Sequence, residues 1–234
     1  MGDAPRDPNP VHRRPNGAGG ASGSGRSLDD LLHDSDLLEA LGLGEGRGYI
    51  GGGGLEPHIR QAYQFVEAVD GRAPLSGVDL GSGGGIPGLV LALAWPTSSW
   101  LLVDSNLQRT RHLDEAVDIL GISARVDVLW SRAEEVARLD GLRGSSDLVV
   151  ARSFGATAVV AECGAPLLEV DGHLIISDPP TGPGDRWPDR GLAVLGLASA
   201  KAIAGCSVMR LREPSDDRYP RRTGIPSKRP LWTT

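Results

Sequence analysis

Ser76-Gly77-Val78-Asp79-Leu80-Gly81-Ser82-Gly83-Gly84-Gly85-Ile86-Pro87-Gly88 leads directly into an apolar stretch over residues 89–94. A short apolar run closed by an acid, a glycine-dense turn and a second apolar run read as strand, tight loop and helix start. Five glycines within the eight residues from Gly81 exceed what an ordinary turn requires. Glycine lets the backbone approach a ligand closely, and a helix start offers N–H groups without intrahelical partners. From Gly83 to Gly88 the chain formally matches G-x-G-x-x-G, a weak signal for a dinucleotide loop. Counted from the first glycine after the strand, the pattern is Asp79-x-Gly81-x-Gly83-x-Gly85. A dinucleotide loop in that register needs a small residue where Ile86 stands. A cofactor loop is favoured over a plain turn.

Outside this stretch, 234 residues suit one domain with appendages or two small ones. A hydrophobic content of 40% supports a core, while 33 glycines and 17 prolines predict flexible segments. No apolar run reaches the length of a membrane span, and the start lacks a charged-then-apolar signal pattern. Cys163 and Cys206 are isolated, which argues against a disulfide scaffold or structural zinc and for a reducing cytoplasm. The five histidines lack metal-ligand spacing, so no metal is expected. Net charge is −6, but residues 201–234 carry eight Lys/Arg against three Asp/Glu, leaving −11 for residues 1–200. A local polyanion contact and a solvated tail explain that asymmetry equally well.

Residues 1–27 hold too few large apolar groups to offset the entropy of ordering, and a disordered leader is expected there. Ser27 is placed to cap a short helix over 28–43, with leucines at 28, 31, 32, 38 and 41. Residues 42–54, with four consecutive glycines, read as a loose connector. A second helix over 59–69 presents Ile59, Ala62, Tyr63, Val66 and Val69 on one face, and both helices are expected across one edge of the main domain. That domain, 58–234, follows a leader (1–27) and a helix-plus-connector (28–57). Strands are expected over 77–80, 100–103, 125–129, 147–151, 173–177 and 207–212. Helices are expected over 89–94, 108–120, 133–139, 158–168 and 192–204. The alternation predicts an α/β fold: a doubly wound, mostly parallel sheet covered on both faces, its ligand beyond the carboxyl ends of the strands.

Residues just past each strand are therefore the candidates. Asp104 closes the second strand, where a carboxylate can accept both hydroxyls of a ribose; it would also serve as a helix cap. Ser131-Arg132-Ala133-Glu134-Glu135 starts a helix with its acids suited to the dipole, and backbone at Ala133 and Glu134 lies where an adenine would sit. Arg152, straight after a buried strand, points to the cleft and suits a carboxylate, a phosphate or a guanine edge. Asp178-Pro179-Pro180 reads as a rigid turn. The tail from Asp217 to Leu231, held extended by prolines and glycine, offers Arg218, Arg221, Arg222, Lys228 and Arg229 to a phosphate backbone.

The in-register loop resembles the first motif of class I S-adenosylmethionine (SAM) methyltransferases. Together with Leu102-Val103-Asp104-Ser105, Ser131 to Glu135, Ala151-Arg152-Ser153-Phe154 and the segment from Tyr219 to Leu231, it resembles the bacterial 16S rRNA guanine-N7 methyltransferases (RsmG, or glucose-inhibited division protein B). The resemblance runs from about Gly77 to Leu231. It implies a Rossmann-like class I fold, SAM as cofactor, and an rRNA or 30S-subunit partner for a cytoplasmic monomer. It also implies SAM contacts at Gly81, Ile86, Ala133, Glu134 and Arg152, with Arg152 also beside the reacting groups; the loop and the end of the second strand add Asp79, Ser82, Gly83, Gly85 and Asp104 as expected cofactor contacts. The residues alone leave open a small-molecule methyltransferase, or a SAM- or RNA-binding module without turnover. Two departures from the family pattern stand out: Gly-Tyr-Ile-Gly from Gly48, in place of an Asn-Leu-Thr-type segment, and Ser177-Asp178 in place of Lys-Gly.

Overall fold

The computed structural model describes residues 25–233. Most of the expected leader, residues 1–24, lies outside the described residues. Its last residues are ordered: Arg26 donates its N–H to the Ala94 carbonyl at 2.9 Å and its guanidinium meets Asp34 at 2.7 Å.

In chain order the elements are α1 (Leu28–Leu32), α2 (Ser35–Gly46), α3 (Leu55–Glu67), β1 (Ser76–Leu80), α4 (Gly88–Ala94), β2 (Ser99–Asp104), α5 (Leu107–Ile119), β3 (Val126–Trp130), α6 (Ala133–Val136), β4 (Ser146–Ala151), α7 (Thr157–Gly164), β5 (Leu168–Ser177), α8 (Asp189–Val194), β6 (Lys201–Ile203), β7 (Cys206–Arg210) and α9 (Ile225–Lys228). They build one seven-stranded sheet in the order β3-β2-β1-β4-β5-β7-β6. The first five strands are parallel neighbours, and β7 runs antiparallel to both β5 and β6.

Alternation along each strand divides the core in two, because successive side chains point to opposite faces. Trp100, Leu102, Leu148, Val150 and Ile175 join one apolar cluster with α1 to α5. Leu101, Val103, Val149, Leu174 and Ile176 join the other with α6, α7 and α8. Gly77 makes room for the Trp100 ring, which a Cβ there would meet at 2.6 Å, and Trp100 in turn stacks on Trp95 at 6.2 Å.

Sequence expectation and structure part in several places. The first helix breaks at His33 into α1 and α2, because Asp34 caps a fresh start by accepting the Leu37 N–H at 2.7 Å. Residues 42–46 belong to α2 and not to the connector. The N-terminal helices cover α4 and α5 from outside instead of crossing a sheet edge, and Leu31, Leu37, Leu41, Ile59 and Phe65 are fully buried. Each such side chain contributes roughly 1.5–3 kcal/mol relative to exposure. Finally, the helix expected over 192–204 stops early. Gly196 (φ +80) ends α8, with the Leu197 N–H returning to the Leu192 carbonyl. The chain then forms β6 and turns through Ala204 and Gly205 (φ +49 and +74), a two-residue hairpin of the kind that needs positive φ at both positions.

Candidate functional site

Strand order reverses between β1 and β4, and a crevice opens at the carboxyl ends of those strands. The glycine loop forms one lip. Gly81 and Ser82 donate their N–H groups to the Val103 carbonyl at 2.8 and 3.0 Å, and Gly83 donates to an Asp104 carboxylate oxygen at 3.0 Å. The loop is thereby pinned to the end of β2. Gly81 has φ +75, and a Cβ there would stand 2.6 Å from the Phe154 ring.

Asp79 lies underneath this loop, fully buried. One carboxylate oxygen accepts the Gly88 N–H at 3.0 Å; the other has no hydrogen-bond partner. Burial pushes the carboxyl up to about 7, with Asp104 adding to the push and Ser82, Gly88 and Arg152 opposing it. Asp79 and Gly85 are both buried and line neither cavity of the crevice, supporting the loop from below. Gly88's N–H at the α4 start is taken, and Pro87 before it has none, so this helix end is closed to a pyrophosphate. The dinucleotide reading falls.

The raised Asp79 value has a measurable consequence. An acid whose folded pKa exceeds its unfolded one stabilises the fold at low pH and loses that contribution as pH rises through the folded value. Asp79 should therefore draw the melting temperature down from about pH 4 to about pH 7, against the buried His112 and His173, whose lowered values act in the opposite sense. Asp79→Asn should flatten that slope; an unchanged slope would place the titration on another group.

Two adjoining cavities fill the crevice and share Gly81, Arg109 and Ser153. The first, about 300 Å³, is walled by Asp104, Ser131, Ala133, Glu134, Phe154, Val159 and Ser227. The second, about 260 Å³, is walled by Tyr49, Ile50, Gly51, Ser82, Gly83, Ile86 and Arg152. A larger one, about 760 Å³, opens at the opposite end of the sheet, near Leu75, Asp147 and His173.

Asp104 is 5% exposed. Each of its oxygens accepts one N–H, from Gly83 at 3.0 Å and from Asn106 at 2.8 Å, which leaves each a second lone pair. Glu134 is buried, and its carboxylate accepts from Arg132 at 3.1 Å and from the Gly224 N–H at 3.0 Å. Burial opposes its ionisation, yet the Gly224, backbone and Arg132 donors prevail and hold the carboxyl below its usual range. Arg152 reaches the second cavity with Nη2 2.8 Å from His58 Nδ1. Burial lowers its pKa, with the Asp79 charge opposing.

The C-terminal segment is not the extended arm expected from its prolines. It folds back over α6 and α7. Arg221 makes three hydrogen bonds to the fully buried Glu162, at 2.8, 2.8 and 2.7 Å, so it is not available to a phosphate. Arg143 holds the Ser215, Asp216 and Tyr219 carbonyls, and Arg138 holds that of Pro220. Arg218 lies over the Tyr219 ring, near Asp216. Arg218, Arg222, Lys228 and Arg229 remain exposed. Asp178 does more than open a rigid turn: it is buried, accepting from Ser207 at 2.6 Å and Arg186 at 2.7 Å.

Sequence reasoning missed Tyr49, Ile50 and Gly51, hidden in what read as a loose connector, and also Arg109, His58 and Ser227. Tyr49 is fixed by the His112 ring at 5.6 Å and by the Arg109 guanidinium at 5.9 Å. Only the unusual Tyr-Ile pair within the glycines could have signalled it.

Residues 55–177 match the GidB family model, described as rRNA small subunit methyltransferase G. The chain belongs to this family. Ribosomal RNA small subunit methyltransferase G of Moorella thermoacetica is 32% identical over 165 residues, which cover 66% of this chain and 68% of that one. The protein of the same name from Syntrophomonas wolfei is 32% identical over 189 residues, covering 76% and 86%. Among solved structures, the fold resembles cofactor-bound Rv0187 from MTB, with a TM-score of 0.58 and 18% identity over 80% of this chain and 94% of that one. It also resembles the SAH-bound Podospora anserina methyltransferase PaMTH1, with a TM-score of 0.54 and 14% identity over 77% and 89%. At such identities the likeness concerns the fold, which is the Rossmann-like class I methyltransferase fold. In this member of the GidB family the connector between α2 and α3 and the C-terminal segment both contribute walls to the crevice.

Proposed function

We propose that the protein transfers the methyl group of SAM to N7 of a guanine in 16S rRNA, as a cytoplasmic monomer acting on the small ribosomal subunit. The observation that carries this reading is the pair of adjoining cavities at the switch point, in a chain whose relatives are named for methylating small-subunit rRNA. The residues fit the cofactor. Asp104 offers a second lone pair on each oxygen to the ribose hydroxyls, with the Arg109 guanidinium 3.9 Å from one of those oxygens, and backbone at Ala133 and Glu134 faces the adenine. Gly81 to Gly83 and Ile86 enclose the methionine end.

Bound there, SAM supplies an electrophilic methyl group on a sulfonium. The chain's own task is alignment. Guanine N7 already presents a lone pair, so no residue has to remove a proton before attack, and holding the two reactants in line supplies much of the acceleration. Arg152, from the end of β4, sits between the methionine end and the entering base. Arg222, Lys228 and Arg229 meet rRNA phosphates, whereas Arg221 does not. No helix among the described residues is long and apolar enough to cross a membrane.

Labelled methyl transfer from SAM to 30S subunits taken from a strain lacking this gene tests the reading. Label in 16S rRNA is expected; SAM binding without label in RNA would redirect the search to small acceptors. Neutralising Arg222, Lys228 and Arg229 together should weaken 30S binding and flatten its salt dependence by about 0.7–0.9 per lost phosphate contact. A salt slope identical to wild type would remove these residues from the interface.

A further inference from the structure

His58 stands in the first turn of α3, and both sides of its ring are engaged. Nδ1 lies 2.8 Å from Nη2 of Arg152, and Nε2 lies 2.8 Å from the Gly51 carbonyl oxygen. A guanidinium only donates, so Nδ1 accepts; a carbonyl only accepts, so Nε2 carries the proton. The neutral Nε2–H tautomer is the one species that satisfies both. The two groups it joins come from distant parts of the chain, and both line the second cavity.

Each of those groups needs holding. Gly51 begins four consecutive glycines, with φ +115 and +87 at Gly53 and Gly54. Such a segment has the most conformational freedom to lose on ordering. It is tied by the Gly51 carbonyl to His58 and by the Gly54 N–H to Glu45 at 3.3 Å. Arg152 carries a long side chain rich in rotamers, whose planar fork loses little further freedom once one edge is set.

We infer that His58 is a positioning residue. Its neutral imidazole locks the Arg152 guanidinium and the glycine segment from Gly51 to Gly54 against each other across the methionine-end cavity, so that both are set before SAM enters. The inference rests on the proposed SAM-binding role of this crevice. His58 acts through Arg152 and the cavity wall and meets neither reacting group.

The test is a double-mutant cycle read on SAM affinity by calorimetry, with thermal melting as a control. It compares wild type, His58→Ala, His58→Asn, Arg152→Ala and the double variant. Asparagine places an oxygen acceptor near the position of Nδ1 and so keeps the bond from Arg152. His58→Ala should weaken SAM binding about tenfold, the scale of a hydrogen bond to a charged group, while melting close to wild type. His58→Asn should recover more than half of that loss. On the Arg152→Ala background, His58→Ala should add less than about twofold, because the two residues act as one unit. Additive losses, or an asparagine variant no better than alanine, would overturn the inference while leaving the proposed function standing. A wild type that binds no SAM would overturn both.

Discussion

Replacing Arg221 by methionine should lower the unfolding free energy by about 3–5 kcal/mol, measured by denaturant titration. The magnitude follows from Glu162. Its side chain is fully buried in α7, and the Arg221 side chain supplies two of the three hydrogen bonds that Arg221 makes to it. Removing the guanidinium strands a carboxylate in an apolar layer, a far larger penalty than loss of an exposed ion pair. The double variant Arg221→Met with Glu162→Leu should recover part of the loss, since the stranded charge is gone. A loss below about 1 kcal/mol for the single variant would show that water reaches Glu162. Deleting residues 218–234 is therefore a poor test of RNA binding. It would remove the partner of Glu162, the Gly224 donor to Glu134 and the Ser227 wall of the first cavity.

Asp104→Asn should weaken SAM binding about 10²-fold, the scale of one lost hydrogen bond to a charged acceptor. Both carboxylate oxygens already accept an N–H, from Gly83 and from Asn106. An amide in this place turns one of its own N–H groups against one of those donors, loosening either the glycine loop or the start of α5. It also removes one of the two lone-pair faces that the ribose needs. Calorimetric titration with SAM reads the effect, and an affinity within about threefold of wild type would mean that Asp104 serves only as a local cap.

Much of this architecture was legible because local and tertiary demands agree. Asp79 to Gly88 forms a strand, loop and helix start for reasons contained in those residues: positive φ at three glycines and a buried acid that caps the helix. The alternation from β1 to β5 survives in the sequence because the central strands β1, β2 and β4 are covered on two faces. The expectations that failed depend on partners remote in sequence. Nothing near Arg221 announces Glu162, 59 residues earlier, so a clamp read as a phosphate-binding arm. Nothing near Asp178 announces Arg186 and Ser207, so a buried acceptor read only as the start of a rigid turn. Ala204-Gly205 lacks the Asn-Gly signature of a tight hairpin, which left β6 inside an expected helix. Tyr49 and Gly51 became cavity walls only once α3 brought His58 up to Arg152.

Mapping N7-methylguanine in 16S rRNA tests the central claim most directly. Reduction with borohydride followed by aniline cleaves the strand at such a base. Subunits from a strain lacking the gene, incubated with SAM and the wild-type protein, should gain one new cleavage; with Arg152→Ala the yield should be much lower. Methyl label entering the RNA without any aniline-sensitive site would contradict N7 transfer, and no label at all would contradict the rRNA assignment.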